Sequence, residues 1–401
     1  MVLFLHNRYR TTGGEERVLA DLMWLVREHL GEPAELLTRD SAQLGRSRAA
    51  VGLLRGGLDP EEVARAVRLT GARVVHAHNL QPALGWRALA AAREAGARVV
   101  LHLHQYRLVC AVGVCFTRGA ECTRCHGRDT MPGVRLNCRA SLPEAVSYGA
   151  SLALWQQRLI DQADAVIVPS RFARERLREL GAPLPWERTH VLAPPLRVLA
   201  EDPAAETRSA PMETQPAGVE AKPAHSGSAL PESYGLIVSR LSPEKGIDVA
   251  IEACRIAGLP LVVAGDGPER DALLRDARGA DVRLLGRVDD WELARLRGGA
   301  SIAVAPSRSA ETFGAAVAEA MAARLPVIAS DVGALRELLP AHALVPAGSA
   351  RALAEGIARL AGDRAAGEEN RRRVVELCAP RMLADSLSGI YAAAVERSGR
   401  T

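Results

Sequence analysis

Two carboxylates, Glu311 and Glu319, stand eight residues apart on either side of a predicted strand-to-helix turn. The apolar run 301–305 predicts a buried strand, and strong helix formers follow the turn. The turn itself is Phe313-Gly314. Unpaired amides and the helix dipole attract anions at such a helix start. The two carboxylates could then flank a ligand that carries both phosphate and hydroxyl groups, as a nucleotide sugar does. Two solvated glutamates on a surface helix are the alternative.

A second segment supplies positive charge. Leu236–Ser239 predicts a strand, and the loop after it contains Arg240 and Lys245 before a helix begins near Ile247. Arginine offers a planar fork for two-point contact with phosphate, and lysine adds a mobile point charge. Open α/β sheets bind their ligands at the carboxyl ends of the strands, where both cations stand. Solvated surface cations are the alternative, but the glutamate pair favours a diphosphate site.

With these motifs in place, the chain resembles glycosyltransferase family 4, the retaining, nucleotide-sugar-dependent transferases of GT-B fold. The motifs that carry the resemblance are Ser239-Arg-Leu-Ser-Pro-Glu-Lys-Gly246, Val263-Ala-Gly-Asp-Gly-Pro268, Leu285-Gly-Arg-Val288, Pro306-Ser-Arg-Ser309, Glu311-Thr-Phe-Gly-Ala-Ala-Val-Ala-Glu319 and Val327-Ile-Ala-Ser-Asp-Val-Gly333. They follow the family's order over roughly residues 235–340. The resemblance is looser in the N-terminal half, where it rests on Gly13-Gly-Glu-Glu16 and His104-Gln-Tyr-Arg-Leu-Val-Cys110.

The resemblance implies an α/β protein of GT-B fold, with two doubly wound Rossmann-like domains facing each other across a cleft. It also implies transfer of a sugar from a nucleoside diphosphate to a hydroxyl acceptor, with retention. The catalytic residues that it implies are Arg240, Lys245, Glu311 and His104. The donor-binding residues that it implies are Gly13, Gly14, Gly265, Asp266, Arg287, Val288, Thr312, Phe313, Gly314 and Glu319.

Within this interpretation the two cations and the amides at the turn stabilise the departing diphosphate. They could replace the divalent cation that other transferases use, so no cofactor is required for catalysis. Glu319 is expected to hold the ribose diol and Glu311 the sugar hydroxyls. The two glutamates thus serve different ends of one ligand and do not form the carboxylate pair of a retaining glycosidase.

Glycines and histidines are the candidate groups of the N-terminal half. Gly13 and Gly14 follow a predicted first strand and open a helix, so their N–H groups could meet an anion. His104 lies just past a predicted strand, on the same face as His102, and is expected to bind a donor-sugar hydroxyl. The alternative is a structural role, for the glycine pair as part of a turn and for His104 as part of the packing around the strand. His76 and His78 repeat the pattern one strand earlier and are expected in the core or on the cleft floor.

Five of the seven cysteines fall between residues 110 and 138, in a loop rich in glycine. Cys122 and Cys125 have the C-x2-C spacing of tetrahedral metal sites. With Cys110 and Cys138 they are similar to a cysteine-rich subgroup of the family and could hold a structural zinc, with Cys115 or His126 as substitutes. Reduced, unliganded thiols, or a disulfide under oxidising conditions, are the alternatives.

Alternating strand and helix patterns predict how the chain is organised. We expect an acceptor-side domain over residues 1–200, with 381–401 packing back onto it. Residues 201–232 are rich in Pro, Ala, Ser, Gly and charge, which predicts a flexible linker. A nucleotide-sugar-binding domain is expected over 233–380.

Composition limits the class of protein. The 401 residues are 48% hydrophobic, which is enough for two domains with cores. A net charge of +4 and 3% aromatic residues do not point to nucleic acid. No run approaches the ~20 apolar residues of a membrane span. We expect a cytoplasmic protein, with peripheral contact to the inner face of the membrane left open.

The expected partners are a nucleotide-sugar donor and a glycan, lipid-linked or small-molecule acceptor, as in polysaccharide biosynthesis. Two rival functions remain. A sugar-nucleotide epimerase of GT-B fold would turn over the donor without any acceptor. A non-catalytic partner of another transferase is the second rival, and the intact Arg240, Lys245, Glu311 and Glu319 speak against it.

Overall fold

The computed structural model describes residues 1–9, 13–200 and 230–396. It divides into two compact units, each of which is described by itself. Unit 1 comprises Met1–Arg197 together with Cys378–Thr401, and unit 2 comprises Val198–Leu377. Residues 201–229 of the predicted linker lie outside the described residues.

Unit 1 contains a parallel sheet with helices on both faces. Its strands are β1 (Val2–Arg8), β2 (Ala34–Asp40), β3 (Val74–Ala77), β4 (Arg98–His102), β5 (Phe116–Thr117), β6 (Ala120–Glu121), β7 (Ala165–Val168) and β8 (Thr189–Val191). The six-stranded sheet runs β2-β1-β3-β4-β7-β8, and β5 pairs with β6 in a separate antiparallel hairpin. Its helices are α1 (Gly14–Glu28), α2 (Arg46–Arg55), α3 (Pro60–Thr70), α4 (Gly85–Glu94), α5 (Met131–Arg135), α6 (Leu142–Asp161) and α7 (Arg171–Glu179).

The alternation of side chains along β1 explains the two-faced core of unit 1. Successive strand residues point to opposite faces, so Leu3 and Leu5 join one hydrophobic cluster and Val2 and Phe4 join the other. Helices α3 and α4 cover the first face. Helix α1 and the last helix of the chain, which spans Pro380–Glu396, cover the second. A sheet buried on both faces is the arrangement expected of parallel strands.

Unit 2 repeats the architecture with another strand order. Its strands are β9 (Gly235–Val238), β10 (Leu261–Ala264), β11 (Val282–Gly286), β12 (Ile302–Ala305), β13 (Val327–Ser330) and β14 (Leu344–Val345). Its helices are α8 (Ile247–Ala257), α9 (Arg270–Asp276), α10 (Asp290–Gly299), α11 (Ala315–Ala322), α12 (Leu335–Leu338), α13 (Ala350–Leu360) and α14 (Arg364–Cys378), and the Pro380–Glu396 helix of unit 1 is α15. The parallel sheet runs β11-β10-β9-β12-β13-β14. The chain changes direction between β9 and β12, and open α/β sheets bind ligands at such a switch point.

The apolar runs 301–305 and Leu236–Ser239 match β12 and β9 to within a residue, but the sequence pattern missed β2 and the short hairpin of β5 and β6. Only the first residue of β2, Ala34, is fully buried, and the rest of the strand is exposed or half-buried. An edge strand of this kind lacks the apolar run by which the other strands were found. None of the helices in the described ranges has both the length and the apolar character needed to cross a membrane.

The packing of α15 leads to a stability prediction. Leu387 is fully buried in the cluster that α15 shares with α1 and β1. We expect Leu387→Ala to lower the free energy of unfolding of unit 1 by ~2–5 kcal/mol, because truncation leaves a cavity. The neighbouring Ser386 is exposed and its hydroxyl bonds only to Met382 O of the same helix, so Ser386→Ala is the matched control. Equal urea midpoints for the two variants would contradict this packing.

Candidate functional site

Two glycines bring the loops at the switch point of unit 2 into backbone contact. Gly246 follows the loop after β9 and has a left-handed φ of 64°, and a Cβ there would lie 2.2 Å from Pro306 O in the loop after β12. A Cβ on Gly333, after β13, would lie 2.4 Å from Glu311 N. Only glycine permits such close approaches. The loops after β9, β12 and β13 therefore form one surface at the carboxyl ends of their strands.

Oppositely charged side chains meet on this surface. Lys245 Nζ donates to Glu311 Oε1 at 2.6 Å, and Ser307 Oγ donates to the same oxygen at 2.6 Å. Arg240 Nη2 donates to Glu244 Oε1 at 2.9 Å, yet half of the Arg240 side chain stays exposed. The structure thus brings Lys245 and Glu311 together, although the sequence predicted separate tasks for them.

The surroundings of Glu311 keep its carboxylate charged. Burial alone would raise its pKa, but the charge of Lys245 and the hydrogen bonds from Lys245 and Ser307 outweigh burial. The net result is a pKa below the ordinary value of a glutamate. At neutral pH the pair is therefore an ion pair held at the switch point, and its members can serve as hydrogen-bond acceptor and cation for a ligand.

Glu319 has a cationic partner of its own. Arg297, on α10, donates from Nη2 to Glu319 Oε2 on α11, and both side chains are about nine-tenths buried. The sequence predicted that Glu319 binds a ribose diol, and in the structure one of its oxygens is engaged by Arg297. The two glutamates of the motif are thus held by different cations from different elements.

The loop after β10 carries Gly265 and Asp266. A Cβ on Gly265 would lie 1.8 Å from Ser239 O, so this glycine lets the loop pack on the end of β9. The Gly265 N–H donates to Gly286 O at 2.7 Å. Asp266 is exposed and accepts from the Gly267 N–H at 2.8 Å. The packing explains Gly265 without a ligand.

The other predicted donor-binding residues differ in exposure. Arg287 is exposed, whereas Val288 packs against the hydrophobic cluster around Tyr234. The side chain of Val288 thus completes a core, and its predicted contact with the donor stays a prediction. Thr312 is half-buried and Phe313 is buried.

Gly314 occupies the position just before α11. It has a left-handed φ of 99°, and a Cβ there would lie 2.5 Å from a Leu335 side-chain carbon. A side chain would therefore be strained and crowded. The predicted tight turn before the helix is present, and its glycine is required by the backbone.

The glycine pair of unit 1 behaves differently from the prediction. Gly13 is the N-cap of α1, and its N–H donates to Glu16 Oε2 at 2.7 Å. Burial alone would raise the pKa of Glu16, but the nearby His6 ring and the hydrogen bond from the Gly13 N–H lower it. The amide expected to meet an anionic ligand is thus used by the helix's own carboxylate. Around Gly14, nothing among the described residues lies within 4 Å of the place where a Cβ would stand.

Four histidines form an array at the carboxyl ends of β3 and β4. His76 Nε2 and His102 Nδ1 are 3.2 Å apart with the rings 11° from parallel, and His78 Nδ1 and His104 Nε2 are 2.7 Å apart at 14°. The two hydrogen-bonded pairs stack on each other, with centroids 4.7 Å apart for His76–His78 and 4.3 Å for His102–His104. His76 Nδ1 lies 2.7 Å from the Tyr391 hydroxyl of α15.

Three of these histidines raise the question of a metal. The ligand atoms of His76, His78 and His102 all lie within 4.8 Å of one another. Their rings are within 27° of parallel, so the in-plane lone pairs do not converge on one point. Facing nitrogens of His76 and His102 are also used in a mutual hydrogen bond. The arrangement fits a packed, hydrogen-bonded column better than a chelating site.

The clustered cysteines line a second, small cavity of unit 1. They are Cys110, Cys115, Cys122, Cys125 and Cys138. A four-thiolate zinc site needs sulfur atoms about 3.8 Å apart, given Zn–S bonds of ~2.3 Å. In the described part of the chain, no three thiols lie within 4.8 Å of one another. As placed, the thiols share a cavity but do not form a closed zinc site.

Two thiols of the cavity have strongly shifted pKa values. A hydrogen bond with Cys115 lowers the pKa of Cys110 to about 6, although burial opposes the shift. The same bond, together with burial, raises the pKa of Cys115. Of the two thiols, Cys110 is therefore the one that loses its proton more readily.

Sequence reasoning missed several members of the site. Ser307 lies inside a motif that was recognised, and its spacing of four residues from Glu311 could have suggested a contact. Arg297 and Tyr391 had no signal. They reach Glu319 and His76 from positions 22 and 315 residues away, and only the tertiary fold brings these residues together.

Comparison with family profiles covers most of the chain. Residues 8–195 match the profile described as "Glycosyl transferase 4-like domain", and residues 232–363 match the profile described as "Glycosyl transferases group 1".

Two curated relatives show how far the similarity extends. Alpha-D-kanosaminyltransferase of Streptomyces kanamyceticus is 31% identical over 268 residues, which is 60% of this chain and 63% of that protein. Phosphatidyl-myo-inositol mannosyltransferase of Mycobacterium leprae is 36% identical over 129 residues, 29% of this chain and 34% of that protein. The matched segments thus span less than two thirds of either relative.

A solved structure shares the fold. The structure of Anabaena HepE in complex with UDP and glucose matches with a TM-score of 0.61 and 18% identity, over 98% of this chain and 99% of that one. At this identity the likeness concerns the fold alone. It confirms the predicted α/β class and the GT-B fold.

The histidine array leads to a prediction about pH. Burial and the neighbouring His104 lower the pKa of His76 from 6.5 to about 3, so the folded protein keeps this ring neutral. The unfolded chain takes up its proton near pH 6.5, so the stability that the neutral ring provides is present above that pH. Below it, we expect the free energy of unfolding of unit 1 to fall by ~1.4 kcal/mol per pH unit for each such histidine.

Urea denaturation at a series of pH values between 7.5 and about 4.5 measures this slope. His76→Gln should flatten it, because the variant has no proton to take up at that position. His29→Gln is the control, since His29 lies outside the array and its ring contacts that of Trp24. Identical slopes for wild type and His76→Gln would contradict the assignment.

Proposed function

Because this chain belongs to the glycosyltransferase family that those two profiles describe, we propose that it transfers a sugar from a nucleoside-diphosphate donor to a hydroxyl group of an acceptor. The bond between the anomeric carbon and the diphosphate oxygen breaks, and a bond to the acceptor oxygen forms. The hydroxyl proton leaves, and nucleoside diphosphate is released. The observation that carries the proposal is the ion pair of Lys245 and Glu311 at the switch point of unit 2.

Negative charge builds on the departing diphosphate in such a reaction. Arg240 and Lys245 stand in one loop after β9 and are the cations available to stabilise it. Arg240 is half exposed and can turn toward a phosphate, where its fork gives two-point contact. Lys245 is already held in place by Glu311. Preorganised charges of this kind stabilise a transition state without reorganisation cost.

We assign the remaining polar groups to the donor. Glu311 is the proposed acceptor for sugar hydroxyls, because its charged carboxylate has a second oxygen beyond the one bound by Lys245 and Ser307. Glu319 is the proposed partner of the ribose diol, with Arg297 fixing the orientation of its carboxylate. His104 is the proposed hydroxyl contact in unit 1, and its pairing with His78 orients its ring.

We also propose that the anomeric configuration is retained, as the resemblance of the motifs implies. Glu311 and Glu319 are each held by a separate cation, so neither arrangement looks like an uncommitted nucleophile. NMR analysis of the product anomer, compared with the donor, measures this stereochemical outcome. That the protein contacts the membrane surface peripherally stays a prediction from the sequence.

A substitution series tests the proposed site. We expect Arg240→Ala and Lys245→Ala each to lower kcat by 10²–10³, about 3–4 kcal/mol of barrier, because each removes a charge that faces the leaving group. Steady-state transfer is measured for several nucleotide sugars. Arg255→Ala is the matched control, since Arg255 is an exposed arginine of the same unit that pairs with Glu252 on its own helix. Turnover within a few-fold of wild type in both site variants would reject the assignment.

The cysteine cavity leads to a separate prediction. We propose that the structural zinc site forms when the loop of residues 110–138 changes conformation and brings its thiols closer together. Elemental analysis of protein purified under reducing conditions should then give about one equivalent of zinc. Replacing Cys122 and Cys125 with serine should remove it, because the C-x2-C pair supplies two ligands. Cys254→Ser, at an isolated buried thiol of unit 2, is the control. Absence of zinc with all seven thiols titratable would end the proposal.

A further inference from the structure

Unit 1 contains a cavity of which only one lining residue, His104, is assigned above to the donor. Its empty space is about 770 Å³, including the part that opens to solvent. The residues around it come from the ends of β3 and β4 and from α2, α4 and α6. The cavity lies beside the switch point between β1 and β3, where a sheet of this strand order binds its ligand.

Most of the cavity wall is apolar. Leu53 of α2 and Leu152 and Leu159 of α6 line it. Trp86 of α4 and Trp155 of α6 add two indole rings, with centroids 5.8 Å apart and planes tilted by 38°. Leucine side chains and the faces of indole rings offer a ligand apolar contact area, and the indole N–H of Trp155 already donates to Leu54 O at 3.1 Å. This part of the cavity therefore suits an apolar group.

The other end of the cavity is polar. Glu15, His78, His104 and Gln105 line it. Gln105 Nε2 lies 3.4 Å from Glu15 Oε2, and His78 is bonded to His104. The Nε2 atoms of His78 and His102 are buried and have no hydrogen-bond partner among the described residues, and these side chains are only 3% and 1% exposed. Buried polar atoms of this kind are normally paired, so this end of the cavity is the one that suits a polar group.

We propose that this cavity binds the acceptor, and that the acceptor joins an apolar body to the hydroxyl group that receives the sugar. The apolar body packs against the leucines and the two tryptophans. The hydroxyl end lies against the histidines and Glu15. This inference rests on the proposed transferase function and specifies its acceptor class.

A free glycan fits this cavity poorly. A sugar presents hydroxyl groups on all sides, and those facing the leucine wall would be buried without partners, which opposes binding. An apolar body gains from leaving water at the same wall. A lipid alcohol and an aromatic alcohol share the required chemistry, so the experiment compares the two sources.

Binding to the full chain is measured by displacement of the fluorescent apolar probe 1-anilinonaphthalene-8-sulfonate, which requires no turnover. Farnesol represents a prenyl acceptor, 2-naphthol an aromatic one, and maltose a glycan. We expect at least one of the two alcohols to displace the probe and maltose to leave it bound. The alcohol that displaces the probe at the lower concentration shows whether the apolar body of the acceptor is a prenyl chain or an aromatic ring. Displacement by maltose alone, or by none of the three, overturns the proposal.

Two leucines of α6 provide a matched pair of variants. Leu159→Gln places an amide in the cavity wall and should weaken binding of the alcohol at least tenfold. Leu154→Gln makes the same change on the exposed side of the helix and should leave binding within twofold. Trp155→Ala is a second cavity variant at a half-buried position, with circular dichroism as the check on folding. Equal binding by wild type and both cavity variants overturns the proposal.

Calorimetric titration with UDP, GDP and ADP separates this inference from the function beneath it. All the α6 variants should bind nucleoside diphosphate as wild type does, because the cavity and the diphosphate site lie in different units. Nucleotide binding with no displacement by either alcohol rejects the acceptor class and leaves the transferase proposal standing. Loss of nucleotide binding in wild type, together with absence of donor hydrolysis, rejects the transferase proposal, and the acceptor proposal is rejected with it.

Discussion

The ion pair between Lys245 and Glu311 couples two loops that are 66 residues apart in sequence but adjacent at the switch point of unit 2. Each charge alone would lose hydration free energy in a half-buried position, and the attraction between the two charges offsets this loss. The approach depends on the close contact of Gly246 with Pro306 O, which no side chain would permit. The positions of the charges that a nucleoside diphosphate requires therefore depend on this backbone packing.

In both sheets the buried polar groups lie where the strand order reverses. The two units differ in the partners that compensate the burial of these groups. In unit 2 the carboxylates are paired with cations, Glu311 with Lys245 and Glu319 with Arg297. In unit 1 neutral imidazoles pair with one another, and burial keeps their pKa values low. A charged surface suits a diphosphate, while a neutral array beside an apolar cavity suits a hydroxyl group on an apolar body.

Local pattern was sufficient for the fold class and for the loops that carry the motifs, because buried parallel strands are short apolar runs and the motifs follow them. It failed where local signal and tertiary role diverge. The edge strand β2 has little apolar character, and Arg297 and Tyr391 act through contacts with distant elements. Gly13 was recognised as a helix start, but only the structure shows that its N–H is engaged by Glu16. Contacts of this kind depend on three-dimensional packing, which spacing alone does not encode.

The hydroxyl of Tyr391 against His76 also bears on the order in which the chain can fold. Unit 1 is discontinuous, since β1 to β8 precede unit 2 and α15 follows it. One face of its sheet has no α15 to cover it until residues 380–396 have been synthesised. Unit 2 is continuous, and all of its strands have emerged before α15 does. During synthesis unit 2 can therefore complete its core before unit 1 does. Until α15 has been made, the sheet of unit 1 lacks part of the cover on one face.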